Sequence, residues 1–298
     1  MSLTIATTIE QALELMAAGA RPVAGGTDLV VGARHGKAPL PAEVVAIDRL
    51  QPLTHVGPTD TGLLIGSLVS HHAIEHHHVI RTTVPALADA SALVGSPATR
   101  HVGTIGGNVM NGSPAMDTGA PLVVLGAEAE LWSVRGKRRV GMDELWTGPG
   151  RTSAAPDELC VALHVPSPAP RSSSAYLRLE YRRAMETAVV GAAAAVTLAD
   201  DGAIAALRVA LTAVAPTILE VTGLDALVGR SLDDVVAAVT AAASEQARPI
   251  SDVRASDRYR RHTVGVMAGR AVRAAAQRAG GVDLPAPLNR SLGIGAAS

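Results

Sequence analysis

Ala24-Gly25-Gly26-Thr27-Asp28-Leu29 and Gly103-Thr104-Ile105-Gly106-Gly107-Asn108 are the two stretches on which the reading of this chain turns. Pro22-Val23-Ala24 is a short extended run, so the first stretch reads as strand, tight glycine turn and helix. The second reads as a loop dense in glycine and polar residues. Glycine lets a backbone approach a ligand and turn its N–H groups inward, while the Thr27 and Thr104 hydroxyls and the Asn108 amide can donate to phosphate oxygens. Neither stretch contains G-x-G-x-x-G, and the chain has no G-x-x-x-x-G-K-[ST], which disfavours a dinucleotide-binding Rossmann half or an NTPase loop. One such loop is usually an ordinary turn. Two in one domain point to a phosphorylated cofactor.

Working outward, Thr8-Ile9-Glu10-Gln11 has capping-box spacing, and Ile9, Leu13, Met16 and Ala17 recur at helical intervals until Gly19. Strands are expected over Val44–Ile47, Gly62–Ile65 and Leu159–Val165. Ser70 is placed to cap a His-rich helix ending near Ile80. Pro85 opens a helix to Val94 that stops at Gly95, and an apolar helix runs from Asp117 to Leu125. Alternation over Glu128–Val140, broken at Arg135-Gly136-Lys137, predicts a hairpin with its basic run in solvent. The Pro, Ser and Gly content before Ser174 marks a linker and a boundary near residue 172. Beyond it, Thr187–Leu198 and Ile204–Val214 form a ribbon about Asp200-Asp201-Gly202. Helices follow around Leu232–Ala243 and Arg260–Ala279, and the tail from Leu284 is expected to fray.

At about 150 residues per domain, 298 residues suggest two domains, with three small ones as the alternative. The single thiol, Cys160, excludes an iron–sulfur cluster or a Cys-rich zinc site held by this chain alone. It lies in an apolar strand pattern and reads as buried and inert. With 48% hydrophobic residues and no phenylalanine, the core must be aliphatic. A net charge of -1 argues against nucleic acid or an anionic membrane as partner. Met1–Thr8 has no basic leader, and the most apolar run, Ala188–Ala199, is too short to span a bilayer, so a cytoplasmic protein is expected.

Among the remaining features, His71, His72, His76, His77 and His78 make a cluster in which His72 and His76 have metal-pair spacing. A solvated helix face is the preferred reading, and no metal is expected. Asp117 reads as an N-cap, as an acceptor for a ribityl or ribose hydroxyl, or as both. Arg178, Arg182 and Arg183 either reach a diphosphate or face solvent. No G-x-S-x-G elbow or paired carboxylates support a hydrolase.

Taken together, Ala24–Leu29, Thr104–Asn108 with Ser113-Pro114-Ala115-Met116-Asp117, and Arg182-Arg183-Ala184-Met185-Glu186-Thr187-Ala188-Val189-Val190-Gly191 resemble the FAD-binding medium subunit of the molybdenum hydroxylases. That family includes the flavoprotein subunits of xanthine dehydrogenase and aerobic carbon monoxide dehydrogenase. The resemblance runs over nearly the whole chain. It implies an α+β fold: a vanillyl-alcohol-oxidase-type FAD domain (1–171, with subdomains of about 1–55 and 56–171), a C-terminal domain (172–283) with a three-stranded antiparallel sheet and helices, and a flexible tail (284–298).

Carried over by position, the resemblance implies that Pro22, Val23, Ala24, Gly25, Gly26, Thr27, Asp28 and Leu29, with Thr104, Ile105, Gly106, Gly107 and Asn108, wrap the diphosphate and flavin side of FAD. Asp117 is then a polar ligand, and Val94 and Cys160 touch FAD through apolar or backbone contacts. Arg178 stands where family members often have lysine; it keeps the charge without the compact ammonium. The implied role is electron transfer, with no catalytic residue required. A large subunit holds the molybdenum cofactor, a small one carries two [2Fe-2S] clusters, and the assembly is a dimer of heterotrimers. A stand-alone flavin oxidoreductase and a non-enzymatic assembly subunit are the alternatives. NAD, a quinone and oxygen stay open as final acceptor.

Overall fold

A computed structural model describes residues 2–36, 39–182 and 184–294. The chain begins with β1 (Ser2–Ile5), α1 (Ile9–Ala17), β2 (Arg21–Val23), α2 (Thr27–Arg34) and β3 (Glu43–Ala46), whose strands form a parallel sheet in the order β1-β3-β2. Thr8 Oγ1 accepts from Gln11 N at 3.1 Å, as the capping-box spacing predicts. Gln11 Oε1 accepts in turn from Thr7 N at 2.8 Å. Helix α1 buries Ala12, Leu13 and Met16 against Val45 and Ile47, in a small core that Leu159 and Val161 complete.

There follow β4 (Val56–Thr59), β5 (Gly62–Gly66), α3 (His71–His76), α4 (His78–Thr83), α5 (Pro85–Ser91), α6 (Pro97–Val102), α7 (Ile105–Asn111) and α8 (Gly119–Val124). The hairpin β6 (Glu128–Ser133) and β7 (Gly136–Gly141), the short α9 (Met142–Leu145), the ribbon β8 (Trp146–Gly148) and β9 (Arg151–Thr152), and β10 (Leu159–Pro166) complete this part. Its antiparallel sheet has the order β4-β5-β10-β6-β7.

Three expectations change here. The His-rich helix is two helices, because His77 adopts an extended backbone (φ -70°, ψ 119°) between them. The second glycine stretch is a loop only as far as Thr104, whose Oγ1 caps Gly107 N at 3.2 Å and starts α7. Asp117 is no N-cap: α8 begins at Gly119 behind Thr118, without a side-chain cap. The basic hairpin residues are exposed, as expected, and Arg138 reaches Glu158 at 2.7 Å.

The C-terminal part has three long antiparallel strands, β11 (Ser172–Leu179), β12 (Val190–Leu198) and β13 (Ile204–Thr212), with a two-residue edge strand β14 (Leu219–Glu220). Alternate residues of the sheet serve two cores. Ala175, Leu177, Ala192 and Ala194 face α10 (Leu232–Gln246) and α11 (Asp257–Ala279), whereas Tyr176, Ala193 and Ala210 join the core around α5 and α8. Covering both faces explains why β12 reads as an unbroken apolar run.

The tail is ordered through Ile294, with a short helix α12 (Leu288–Ser291). Leu288 and Asn289 are fully buried, which corrects the expected flexible tail. Leu288 N donates to Asp89, and Asn289 exchanges two hydrogen bonds with the Arg178 backbone. Residues 295–298 of that tail lie outside the described residues. Among the described residues no helix is long and apolar enough to cross a membrane.

Candidate functional site

Strand β2 points its carboxyl end at the first glycine turn, the end of a parallel sheet where ligands bind. Pro22 and Val23 finish the strand, Ala24 and Gly25 carry the chain over it, and Gly26, at φ +67°, opens α2 without any side-chain cap. The helix dipole therefore presents its positive end at Thr27, Asp28 and Leu29. The structure brings the two glycine stretches together. A Cβ on Gly25 would run into the Val102 carbonyl oxygen, and the Cβ position of Gly103 lies 3.6 Å from Thr27 Oγ1.

Behind the second stretch lies a rigid wall. Gly106 N donates to Ser67 O at 2.9 Å, and Ser67 N donates to Val161 O at 3.0 Å, which ties α7 through one residue to β10. A Cβ at Gly106 would sit 2.5 Å from Ser67 Cβ. Ile105 and Gly106 are buried against that wall, while Gly107 is exposed and Asn108 half-buried. Asn108 Oδ1 accepts from Thr118 Oγ1 at 2.6 Å, an orientation that leaves the amide nitrogen as the outward donor. His71, read as part of a solvated face, is instead buried behind this wall. Burial, then the Arg100 charge, lowers its pKa to about 4.

Asp117 and Arg178 form a second group. Arg178 Nη1 donates to Asp117 Oδ2 at 2.7 Å, Arg178 Nε donates to Glu180 Oε2 at 2.7 Å, and Tyr176 Oη donates to Asp117 Oδ1 at 2.8 Å. Burial raises the Asp117 carboxyl above its ordinary pKa, and the Arg178 charge opposes that rise. Arg178 Nη1 also reaches Glu186 O at 3.3 Å, which ties the residues around Glu186 to β11. Next to Glu186, Met185 N donates to Gly95 O at 2.9 Å, beside the half-buried Val94. Arg182 is exposed and pairs with Glu186 at 3.5 Å; Arg183 lies outside the described residues.

Cys160 is buried on β10, where burial pushes its thiol up to about 12. It shares a core cluster with Ile105, and its neighbour Val161 accepts from Ser67 N. Two further residues matter that sequence reasoning missed, Tyr176 and Glu180. The spacing of Glu180 from Arg178 was visible, but nothing local marks Tyr176 as the partner of an aspartate 59 residues away. Gly191 carries the one hint, since a Cβ there would meet the Tyr176 phenol.

The donor set fits a diphosphate: an uncapped helix start, two threonine hydroxyls and an amide, on backbone made approachable by glycine. Comparison with known proteins decides the family. The pattern described as "FAD binding domain in molybdopterin dehydrogenase" matches residues 1–168. The chain belongs to this family. Residues 174–275 of this flavoprotein-family chain match the CO dehydrogenase flavoprotein C-terminal domain.

The xanthine dehydrogenase FAD-binding subunit of Escherichia coli O157:H7 is 31% identical over 285 residues, covering 93% of this chain and 96% of that protein. The carbon monoxide dehydrogenase medium chain of Afipia carboxidovorans is 33% identical over 263 residues, covering 87% and 90%. Reconstituted CO dehydrogenase from Oligotropha carboxidovorans superposes with a TM-score of 0.88 at 30% identity, over 93% of this chain and 98% of that one. The fold expectation of an FAD-binding domain followed by a C-terminal flavoprotein domain holds.

Proposed function

We propose that this chain is the FAD-binding, electron-transferring subunit of a heteromeric molybdenum hydroxylase. It is a redox subunit that works beside a large molybdenum-cofactor subunit and a small [2Fe-2S] subunit in the cytoplasm. The assembly is read as a dimer of heterotrimers. The observation that carries the cofactor assignment is the meeting of the two glycine stretches at the carboxyl end of β2, where Gly25 has no room for a side chain. FAD supplies a centre able to accept electrons singly and to release them as a pair.

The chain's own residues bind and orient it. Thr27 and Thr104 hydroxyls, the Asn108 amide and the start of α2 hold the diphosphate. Pro22–Leu29 form one wall, and Ile105, Gly106 and Gly107 the other. Val94 adds an apolar contact, and Cys160 contributes through its backbone. Asp117 stands as the polar ligand, its carboxylate aimed by Arg178 and Tyr176. Residues 1–171 make the cofactor domain and 172–283 the C-terminal domain in this reading. No proton-transfer residue is assigned. The single thiol, Cys160, supports placing the clusters on a partner.

Isolation of the native complex with flavin and metal analysis tests the proposal. One FAD per copy of this chain is expected, together with iron and molybdenum on co-purifying chains. A folded, colourless chain unable to take up FAD would refute the flavin assignment, and a yellow chain that never brings a metal-bearing partner would favour the stand-alone oxidoreductase.

A further inference from the structure

Helix α3 carries a group of side chains that the flavin site does not use. His72, Glu75 and His76 each offer one ligand atom, and the three atoms lie within 4.8 Å of one another. The four-residue spacing of the histidines stacks them on one helix face, with ring centroids 4.4 Å apart.

Their surroundings prepare them as ligands. The ring Nδ1 of His76 lies 2.9 Å from the His72 carbonyl oxygen, a contact that only an Nδ1–H can make as a hydrogen bond, so Nε2 carries the free lone pair. Glu75 is almost wholly buried, and Arg100 Nε lies 3.0 Å from its Oε2. The guanidinium thereby backs the carboxylate, which lies beside the two imidazoles. Outer contacts of this kind, a carbonyl behind a histidine and a cation behind a carboxylate, orient the ligands of metal sites. His101 stacks on His72 with centroids 3.8 Å apart and fixes the orientation of that ring.

We propose that His72, Glu75 and His76 form a binding site for a first-row divalent transition ion, with water completing the coordination. Two imidazoles and one carboxylate suit Zn2+, and the half-exposed position leaves the remaining ligand places to solvent. The site sits on the back of the flavin wall, because His71, the residue preceding His72, donates its N–H to Gly103 O at 3.0 Å. An ion on α3 would brace the helix that carries that bond.

Zn2+ titration of the purified full chain, followed by equilibrium dialysis, tests this. One saturable Zn2+ per chain is expected in the wild type. It should be weakened at least tenfold in His76→Asn, whose exposed ring supports no core, and several-fold in Glu75→Gln. His78→Asn, an exposed histidine on the next helix, should bind as the wild type does. Absence of saturable binding, equal binding by His76→Asn, or unchanged binding by Glu75→Gln would each overturn the three-ligand site. Binding lost in His78→Asn would likewise overturn it by placing the ion elsewhere in the cluster.

Discussion

The guanidinium of Arg178 meets the carboxylate of Asp117 at 2.7 Å, and the arginine is wholly buried. Strand β11 of the C-terminal sheet thereby holds Asp117, two residues before α8 of the cofactor half. Arg178 Nε also donates to Glu180 and Nη1 to the Glu186 carbonyl, so one side chain ties β11 to the residues around Asp117 and Glu186.

Replacing Arg178 with methionine should therefore destabilise the protein strongly. It strands Asp117 and Glu180 without their counter-charge, and breaking a buried pair from one side costs about 3–5 kcal/mol. Arg178→Lys keeps the charge but loses the fork, and an intermediate loss is expected. Chemical denaturation of the three proteins measures the order.

Two glycine substitutions should separate flavin retention from folding. Gly25→Ala and Gly106→Ala push a methyl into Val102 and Ser67 respectively, so FAD per chain, read from flavin absorbance after denaturation, should fall sharply. Gly32→Ala has open space around it within α2. It should retain FAD and gain about 0.5–1 kcal/mol from helix propensity.

The hairpin pair gives a pH dependence of known sign. Hydrogen bonds from Arg138 hold the Glu158 carboxyl below its ordinary pKa of 4.5. A lowered folded value means the pair stabilises above the unfolded pKa and loses that contribution as pH falls through the folded one. Because Arg138 is 41% exposed, Glu158→Gln should cost no more than about 1 kcal/mol at pH 7. Unfolding curves of the two proteins should converge as the pH falls below 4.5 and through the lower folded value.

Asn289 offers a test of the ordered tail. Its side chain satisfies both the N–H and the carbonyl of Arg178, so Asn289→Ala leaves two buried backbone groups unpaired. A loss of about 1–3 kcal/mol is expected from such a group, and thermal unfolding measures it. A tail without structural role would give no change.

Local pattern was enough for much of this protein. Capping at Thr8, the turn at Gly26, the hairpin around Arg135 and the β12–β13 ribbon are set by residues within a few positions of one another, and their spacing is written in the chain. The glycine stretches marked a backbone that a ligand can approach for the same reason, because their conformational freedom is an intrinsic property of the residue. One cysteine alone placed any iron–sulfur cluster on another chain.

Other features had no local signature. His71 looked like its solvated neighbours, yet the packing of α3 against Gly103 buries it, while Glu75 turned a histidine pair into a three-ligand group. Asp117 looked like a helix cap until β11 brought Arg178 and Tyr176 to it from about 60 residues away. Leu288 and Asn289 looked like a frayed end, because their partners, Asp89 and Arg178, lie far along the chain. Sequence determined what each segment can form and which backbone can approach a ligand. Only the tertiary structure decided which polar groups would lose water, since desolvation depends on what the rest of the chain packs against them.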